Sequence, residues 1–253
     1  MAGNTVLIDT SLCTACRGCQ VACKSWNELP AEKTVFGGSY ENPPAFTPTT
    51  WTRVVFREAD GQGVRWYFGK QQCMHCRDAV CVNMCPVQAA HRTALGTVDI
   101  DTGKCIGCGI CQTYCPFQVP KVDKAAGKSR KCRLCFDRIT NGLLPACVQA
   151  CPSGALSFGS REEILARARE RAGRLKQQGY PQAQVYGEKE MGGLHIIYVL
   201  TARPSQYGLP EEPKVSVSAS VVAELLRPFQ SLVAASAVFQ WAEGAGRGKR
   251  TYS

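Results

Sequence analysis

The stretch Cys105-Ile-Gly-Cys108-Gly-Ile-Cys111-Gln-Thr-Tyr-Cys115-Pro116 sets four cysteines at C-x2-C-x2-C-x3-C-P. This spacing holds [4Fe–4S] clusters, whose soft iron takes thiolates in preference to carboxylates. Its first three cysteines wrap one corner of a small cube without regular structure between them. Gly107 and Gly109 let the backbone pass close to the sulfides and take positive φ. Pro116 redirects the chain, so the fourth cysteine reaches a second cluster rather than the first.

Working outward, all 16 cysteines of the 253-residue chain fall into four groups of four. They are Cys13, Cys16, Cys19 and Cys23; Cys73, Cys76, Cys81 and Cys85, before Pro86; Cys105 to Cys115; and Cys132, Cys135, Cys147 and Cys151, before Pro152. None is left over, and the set fits four [4Fe–4S] clusters, with the same sixteen cysteines as iron ligands. A disulfide framework fits poorly, because neighbours three apart in tight loops pair badly and a chain of this length builds a core without staples. Structural zinc suits the last group taken alone, but not the unbroken C-x2-C-x2-C-x3-C runs. The formal charge of +10 counts cysteine as neutral. Four oxidised clusters at about −2 each offset most of it, so the basic residues read as counter-charge and contact surface rather than a nucleic-acid footprint.

The order of elements follows from local pattern. Residues 4–9 read as a strand leading into the first cysteine loop, and Gly96-Thr-Val-Asp-Ile-Asp101 repeats that pattern before Cys105. A short helix runs through Lys24 to Asn27, where Trp26 is expected to shield a cluster. Residues 28–50, rich in Pro, Gly and Thr, read as a surface-hugging contact loop. Strands at 51–57 and 64–68 flank a turn and form a hairpin insertion. His75 and His91 read as packing, hydrogen-bonding or exposed residues, since thiolates already supply every iron position. The basic run from Lys121 to Lys131 reads as a solvated loop, with a docking face or cluster tuning as the alternative. Beyond Pro152 come a strand at 154–158, a helix from Ile164 to Gln178 capped by Ser160-x-x-Glu163, a hairpin about Gly192-Gly193, a linker-like 202–218 and a last helix at 219–241. Met1–Thr10 lacks a basic start and an apolar core, and residues 221–241 fall short of the ~20 apolar residues of a span. The expectation is a soluble chain without a transmembrane span.

The four-group order, with Lys131-Cys-Arg-Leu-Cys-Phe-Asp-Arg-Ile-Thr-Asn-Gly-Leu-Leu-Pro-Ala-Cys-Val-Gln-Ala-Cys-Pro152, resembles the four-cluster iron–sulfur subunit of molybdopterin oxidoreductases of the dimethyl-sulfoxide-reductase superfamily. Cys13-Thr-Ala-Cys-Arg-Gly-Cys-Gln-Val-Ala-Cys-Lys24, Glu41-Asn-Pro-Pro44 and Asp137–Pro145 are similar to the beta subunit of formate dehydrogenases. The resemblance implies four ligand sets: Cys13, Cys16, Cys19 and Cys151; Cys23, Cys132, Cys135 and Cys147; Cys73, Cys76, Cys81 and Cys115; and Cys85, Cys105, Cys108 and Cys111. It implies a non-catalytic electron-transfer subunit. The partner would be a catalytic subunit with a molybdenum or tungsten pterin, and the acceptor a cytochrome, a ferredoxin or another redox protein, in anaerobic respiration. The alternatives are the same subunit in a polysulfide, thiosulfate or nitrate reductase, and a free-standing polyferredoxin.

The expected fold is α+β: two bacterial-ferredoxin-like units in pseudo-symmetric arrangement, with a β-hairpin insertion and a C-terminal helical extension. The first unit takes 1–23 with 125–159, the insertion 24–69, the second unit 70–124, the extension 160–218, and a docking helix and tail 219–253. Membrane-bound members of the family end in a transmembrane helix, and the interrupted 219–241 departs from that, so a soluble complex is expected. It would be cytoplasmic, or periplasmic if carried out with a partner bearing a twin-arginine signal.

Overall fold

The computed structural model describes residues 3–59, 63–216, 218–228 and 230. In chain order its first half holds β1 (Asn4–Asp9), α1 (Gly18–Trp26), β2 (Arg53–Ala59), β3 (Arg65–Gln71), α2 (Val80–Asn83), β4 (Ala90–Arg92), β5 (Val98–Ile100) and α3 (Ile110–Tyr114). The second half adds β6 (Lys121–Asp123), β7 (Lys128–Arg130), α4 (Phe136–Thr140), α5 (Ala146–Gln149), β8 (Leu156–Ser160), α6 (Arg161–Gln177), β9 (Gln184–Tyr186) and β10 (Ile196–Leu200).

The Thr-Val-Leu-Ile run of β1 lies inside a four-stranded sheet ordered β8-β1-β10-β9. β8 pairs with it antiparallel and β10 parallel, with Val6 opposite Phe158 on one side and Ile196 on the other. Strands flanked on both sides by partners and covered on both faces favour β-branched residues, and Val6, Ile8, Ile196, Ile197 and Val199 have no exposed surface. One face is covered by α6, through Ile164, Ala168, Ala172 and Leu175 at helical spacing against Leu7, Ile197 and Val199. Ser160 caps that helix by the expected box: its hydroxyl accepts from the Glu163 N–H, and the Glu163 carboxylate accepts from the Ser160 N–H. The other face, with Ile8, Tyr186, Ile196 and Tyr198, packs on the cysteine-bearing segments, including Cys19 and Cys147. β10 of the expected extension is thus a direct neighbour of β1 in the first unit.

Three two-stranded hairpins complete the strands: β2–β3, β4–β5 and β6–β7. The first is the expected insertion, in register from Arg53–Gln71 to Ala59–Arg65. The loop before it has no regular structure and is held from both ends. Glu41 accepts from Arg53 (2.7 Å) and from the Phe56 N–H (3.1 Å). Glu32 accepts from the hydroxyls of Thr47, Thr49 and Thr50, each at 2.5 Å.

Three expectations need correction. The basic run beginning at Lys121 is not a solvated loop: it folds back as β6–β7, and Lys131 is buried. Residues 202–218 are not a linker, because Ala202, Tyr207 and Leu209 are buried and the Tyr207 hydroxyl accepts from Thr10 Oγ1 (3.0 Å). Trp26 is 43% exposed rather than packed inside. Its indole N–H donates to Asp137 (2.8 Å) and Arg138 lies 4.2 Å over its ring, tying α1 to α4 at the surface. Of the last expected helix, residues 218–228 are helical, and the remainder lies mostly outside the described residues. Among the described residues no helix is long and apolar enough to cross a membrane.

Candidate iron–sulfur centres

Each cysteine group ends in C-x3-C: α1 contains both Cys19 and Cys23, whereas α2, α3 and α5 hold Cys81, Cys111 and Cys147 and end before Cys85, Cys115 and Cys151. Four residues of helix advance about 6 Å, so in α1 Cys19 and Cys23 stand one above the other, while the last cysteines of the other three groups lie where the chain has left its helix. α1 packs against α5 and α2 against α3. The N-terminal cysteines of each group lie in loops whose backbone turns through the left-handed region, at Ala15, Arg17, His75, Gly107, Leu134 and Cys135. Such turns aim successive N–H groups inward, and several N–H groups reach sulfur: Gly18 to Cys16 (3.5 Å), Leu134 to Cys132 (3.4 Å), Ala90 to Cys85 (3.4 Å) and Ser129 to Cys105 (3.3 Å).

None of the sixteen thiols is in a disulfide. Their neighbours lie both within and across the four sequence groups. Cys13 senses Cys151 and Cys16; Cys23 senses Cys147, and Cys135 senses both. Cys76 senses Cys73, Cys115 and Cys81, and Cys111 senses Cys108, Cys105 and Cys85. One cavity is lined by Cys23, Cys132, Cys135 and Cys147, and another by Cys73, Cys76, Cys81 and Cys115. Among the described residues no three His, Cys, Asp or Glu side chains gather as a single ion requires. Burial pushes Cys19 and Cys135 up to about 12 and Cys115 up to about 11. Metal ligation takes the thiolate, so such buried thiols give up their protons only to a strong cationic centre.

A second set of groups fits the same cofactor. Lys70 Nζ, Gln72 Nε2 and His75 Nε2 are buried and have no hydrogen-bond partner within the protein. Val98 N–H donates to His75 Nδ1 (3.1 Å), which leaves the ring proton on Nε2. All three atoms are donors, in the segment 70–75 that runs into the second cysteine group; the acceptor Gln72 Oε1 is buried and unpartnered beside them. Buried donors of this kind cost free energy unless they meet acceptors, and the sulfides and thiolates of a cluster are acceptors. His75 was legible as a hydrogen-bonding residue; Lys70 and Gln72 were not, since the strand Arg65-Trp-Tyr-Phe-Gly-Lys-Gln71 gives no local sign that its lysine turns inward. Lys131 carries a weak signal, its place directly before Cys132.

Taken together, cysteine loops, single-turn helices and inward donors define an iron–sulfur electron-transfer protein built from ferredoxin-like domains. Two models of a 4Fe-4S dicluster domain match, over residues 12–89 and 64–161. The nitrate-inducible formate dehydrogenase iron–sulfur subunit of Escherichia coli is 41% identical over 227 residues, 88% of this chain and 77% of that protein. The formate dehydrogenase iron–sulfur subunit of Haemophilus influenzae is 39% identical over 88% of this chain and 73% of that protein. Formate dehydrogenase 2 subunit beta (cytochrome c-553) of Nitratidesulfovibrio vulgaris is 36% identical over 79% and 94%. The chain belongs to the family of formate dehydrogenase iron–sulfur (beta) subunits, and it carries [4Fe–4S] clusters.

Proposed function

We propose that this chain conducts electrons through four [4Fe–4S] clusters between a molybdenum- or tungsten-pterin formate dehydrogenase catalytic subunit and an external acceptor, a cytochrome, a ferredoxin or another redox protein. The proposed ligand sets are Cys13, Cys16, Cys19 and Cys151 for the first cluster; Cys23, Cys132, Cys135 and Cys147 for the second; Cys73, Cys76, Cys81 and Cys115 for the third; and Cys85, Cys105, Cys108 and Cys111 for the fourth. When bound, the clusters supply reversible one-electron chemistry; the chain supplies thiolates, N–H donors, insulation and order.

The observation that carries this reading is the linear neighbourhood of the four sets. Cys19 senses Cys147, Cys132 senses Cys73, and Cys81 senses Cys111, which joins first to second, second to third and third to fourth. The two terminal sets each contain an exposed cysteine, Cys16 and Cys108, and the two inner sets contain none. A row open at both ends and closed in the middle suits a conductor. Beside Cys16, Arg17 lies 4.8 Å over Phe56, and the exposed Tyr40 and Trp66 rest against Phe56 and Phe68. An aromatic surface with an arginine suits a lasting subunit contact.

The domain division proposed keeps the two cluster units at 1–23 plus 125–159 and 70–124, with β9 and β10 of the 160–218 extension joined to the sheet of the first unit. The test is anaerobic native co-purification with iron, molybdenum and tungsten analysis and a formate-reduction assay. About sixteen irons per chain with a pterin metal, and clusters reduced by formate, are expected. Sixteen irons without reduction by formate would keep the conductor and remove the substrate.

A further inference from the structure

We propose that Lys70 and Lys131 are buried counter-charges, Lys70 shared by the first and second clusters and Lys131 by the second and third, so that the second cluster is flanked by both. This rests on the ligand sets proposed above.

Lys70 lies on β3 opposite Val54, is 1% exposed, and its own carbonyl is taken by the Tyr198 hydroxyl (2.9 Å). Its Nζ has neither a hydrogen-bond acceptor nor a carboxylate partner among the described residues. The groups that face it are thiols: Cys19 of the first set, and Cys147, Cys132 and Cys23 of the second. Lys131, 2% exposed, donates to the carbonyls of Val98 and Cys132. The ionisable groups around it are Cys73 and Cys81 of the third set, Cys132 of the second, and Asp99. Asp99 is already committed to Arg133 (2.9 Å).

An isolated buried ammonium is among the least tolerable groups in a protein. Two of them at successive junctions, each walled by sulfur ligands from two sets, find their counter-ions in the anionic clusters. Each cluster reduction adds one negative charge, and a fixed positive charge at short range in a dry interior favours that state. The lysines therefore raise the potentials of the clusters they face and leave the others alone. Among the described residues the fourth set has no such buried ammonium; Lys128, which donates to the Cys105 carbonyl (2.6 Å), is only partly buried.

The test is an anaerobic redox titration of the purified complex, followed by electron paramagnetic resonance, with iron per chain measured in parallel. The variants are Lys70→Met, Lys131→Met, the double variant and Lys70→Arg. Lys70→Met is expected to lower the first and second potentials, and Lys131→Met the second and third. Each shift should reach at least a tenfold change in the reduction equilibrium, about 59 mV for one electron. The double variant should move the second cluster most and the fourth least, and Lys70→Arg should keep the wild-type pattern. Loss of clusters one and two in Lys70→Met with retention in Lys70→Arg supports the same role. Unmoved potentials, equal shifts in all four, or equal damage from Lys70→Arg and Lys70→Met overturn it. A wild-type chain with other than four clusters refutes the ligand sets instead.

Discussion

At the scale of single residues, the glycines of the cysteine loops are not interchangeable. Gly107 and Gly109 both take positive φ, at 69° and 78°. Only at Gly107 is there no room: an added Cβ would stand 2.5 Å from the Gly127 carbonyl oxygen, at the tip of β6–β7. At Gly109 the nearest atom is Val122 Cγ2 at 3.8 Å. Gly107→Ala therefore forces the Cys105–Cys108 loop away from the hairpin that also brings the Ser129 N–H to Cys105 sulfur. We expect Gly107→Ala to lose about four irons per chain, one cluster's worth, while Gly109→Ala, strained by about 1 kcal/mol, keeps its iron. Iron analysis of the two purified variants decides it; equal iron would remove the steric argument. The motif made both glycines visible as permissive positions. Which of them faces a backbone 20 residues further on was not visible, because close approach is a property of the folded hairpin.

At the scale of elements, the contact loop 28–50 shows how a segment without regular structure is held. Glu32 is the clamp. Burial pushes its carboxyl up, but the hydroxyls of Thr47, Thr49 and Thr50 and the charge of Lys24 outweigh that and hold it down to about 2. A carboxylate with a depressed folded pKa stabilises fully above its ordinary value near 4.5 and loses that contribution as pH falls through about 2. At neutral pH the clamp is closed. Glu32→Gln removes the charge and keeps the shape, and charge-assisted hydrogen bonds are worth roughly 1.5–3 kcal/mol. We expect local opening of the loop to rise roughly tenfold or more, read as faster hydrogen exchange or proteolysis within 28–50 with iron content unchanged. Unaltered exchange there would show that the Glu41–Arg53 contact alone holds the loop. The segment was legible as a loop from its Pro and Gly content; its clamp was not, since three threonines and a glutamate in a turn-rich stretch look like solvated polar residues. The same blindness turned 202–218 into a linker, where one tyrosine, Tyr207, reaches Thr10 at the opposite end of the chain.

At the scale of the whole molecule, the cysteine spacing exposed the cluster chemistry, while the sheet that carries it depends on pairings no spacing reports. β1 was readable as a strand from its β-branched run. Its parallel partner β10 lies beyond α6, and periodicity records that a strand is buried without recording beside what. Parallel neighbours need a crossover, and α6, packed on β1, β8, β9 and β10, supplies it. β10 has five residues, all buried, and its Tyr198 and Ile196 lie in the same core as Cys19, Cys147 and Met74. Removing β10 opens one edge of β1 and exposes that core under the first two proposed clusters. A chain cut after Gly159 keeps all sixteen cysteines but loses β10, β9 and α6. We expect such a chain, loaded with iron anaerobically, to fail to assemble the first and second clusters and to hold about eight irons at most. If it holds about sixteen, the cysteine-bearing segments fold without the sheet's outer strands, and the extension is an attachment. The burial of β10 argues for the first outcome: a strand with its side chains against Cys19 and Cys147 on one face and a helix on the other is part of the unit it serves.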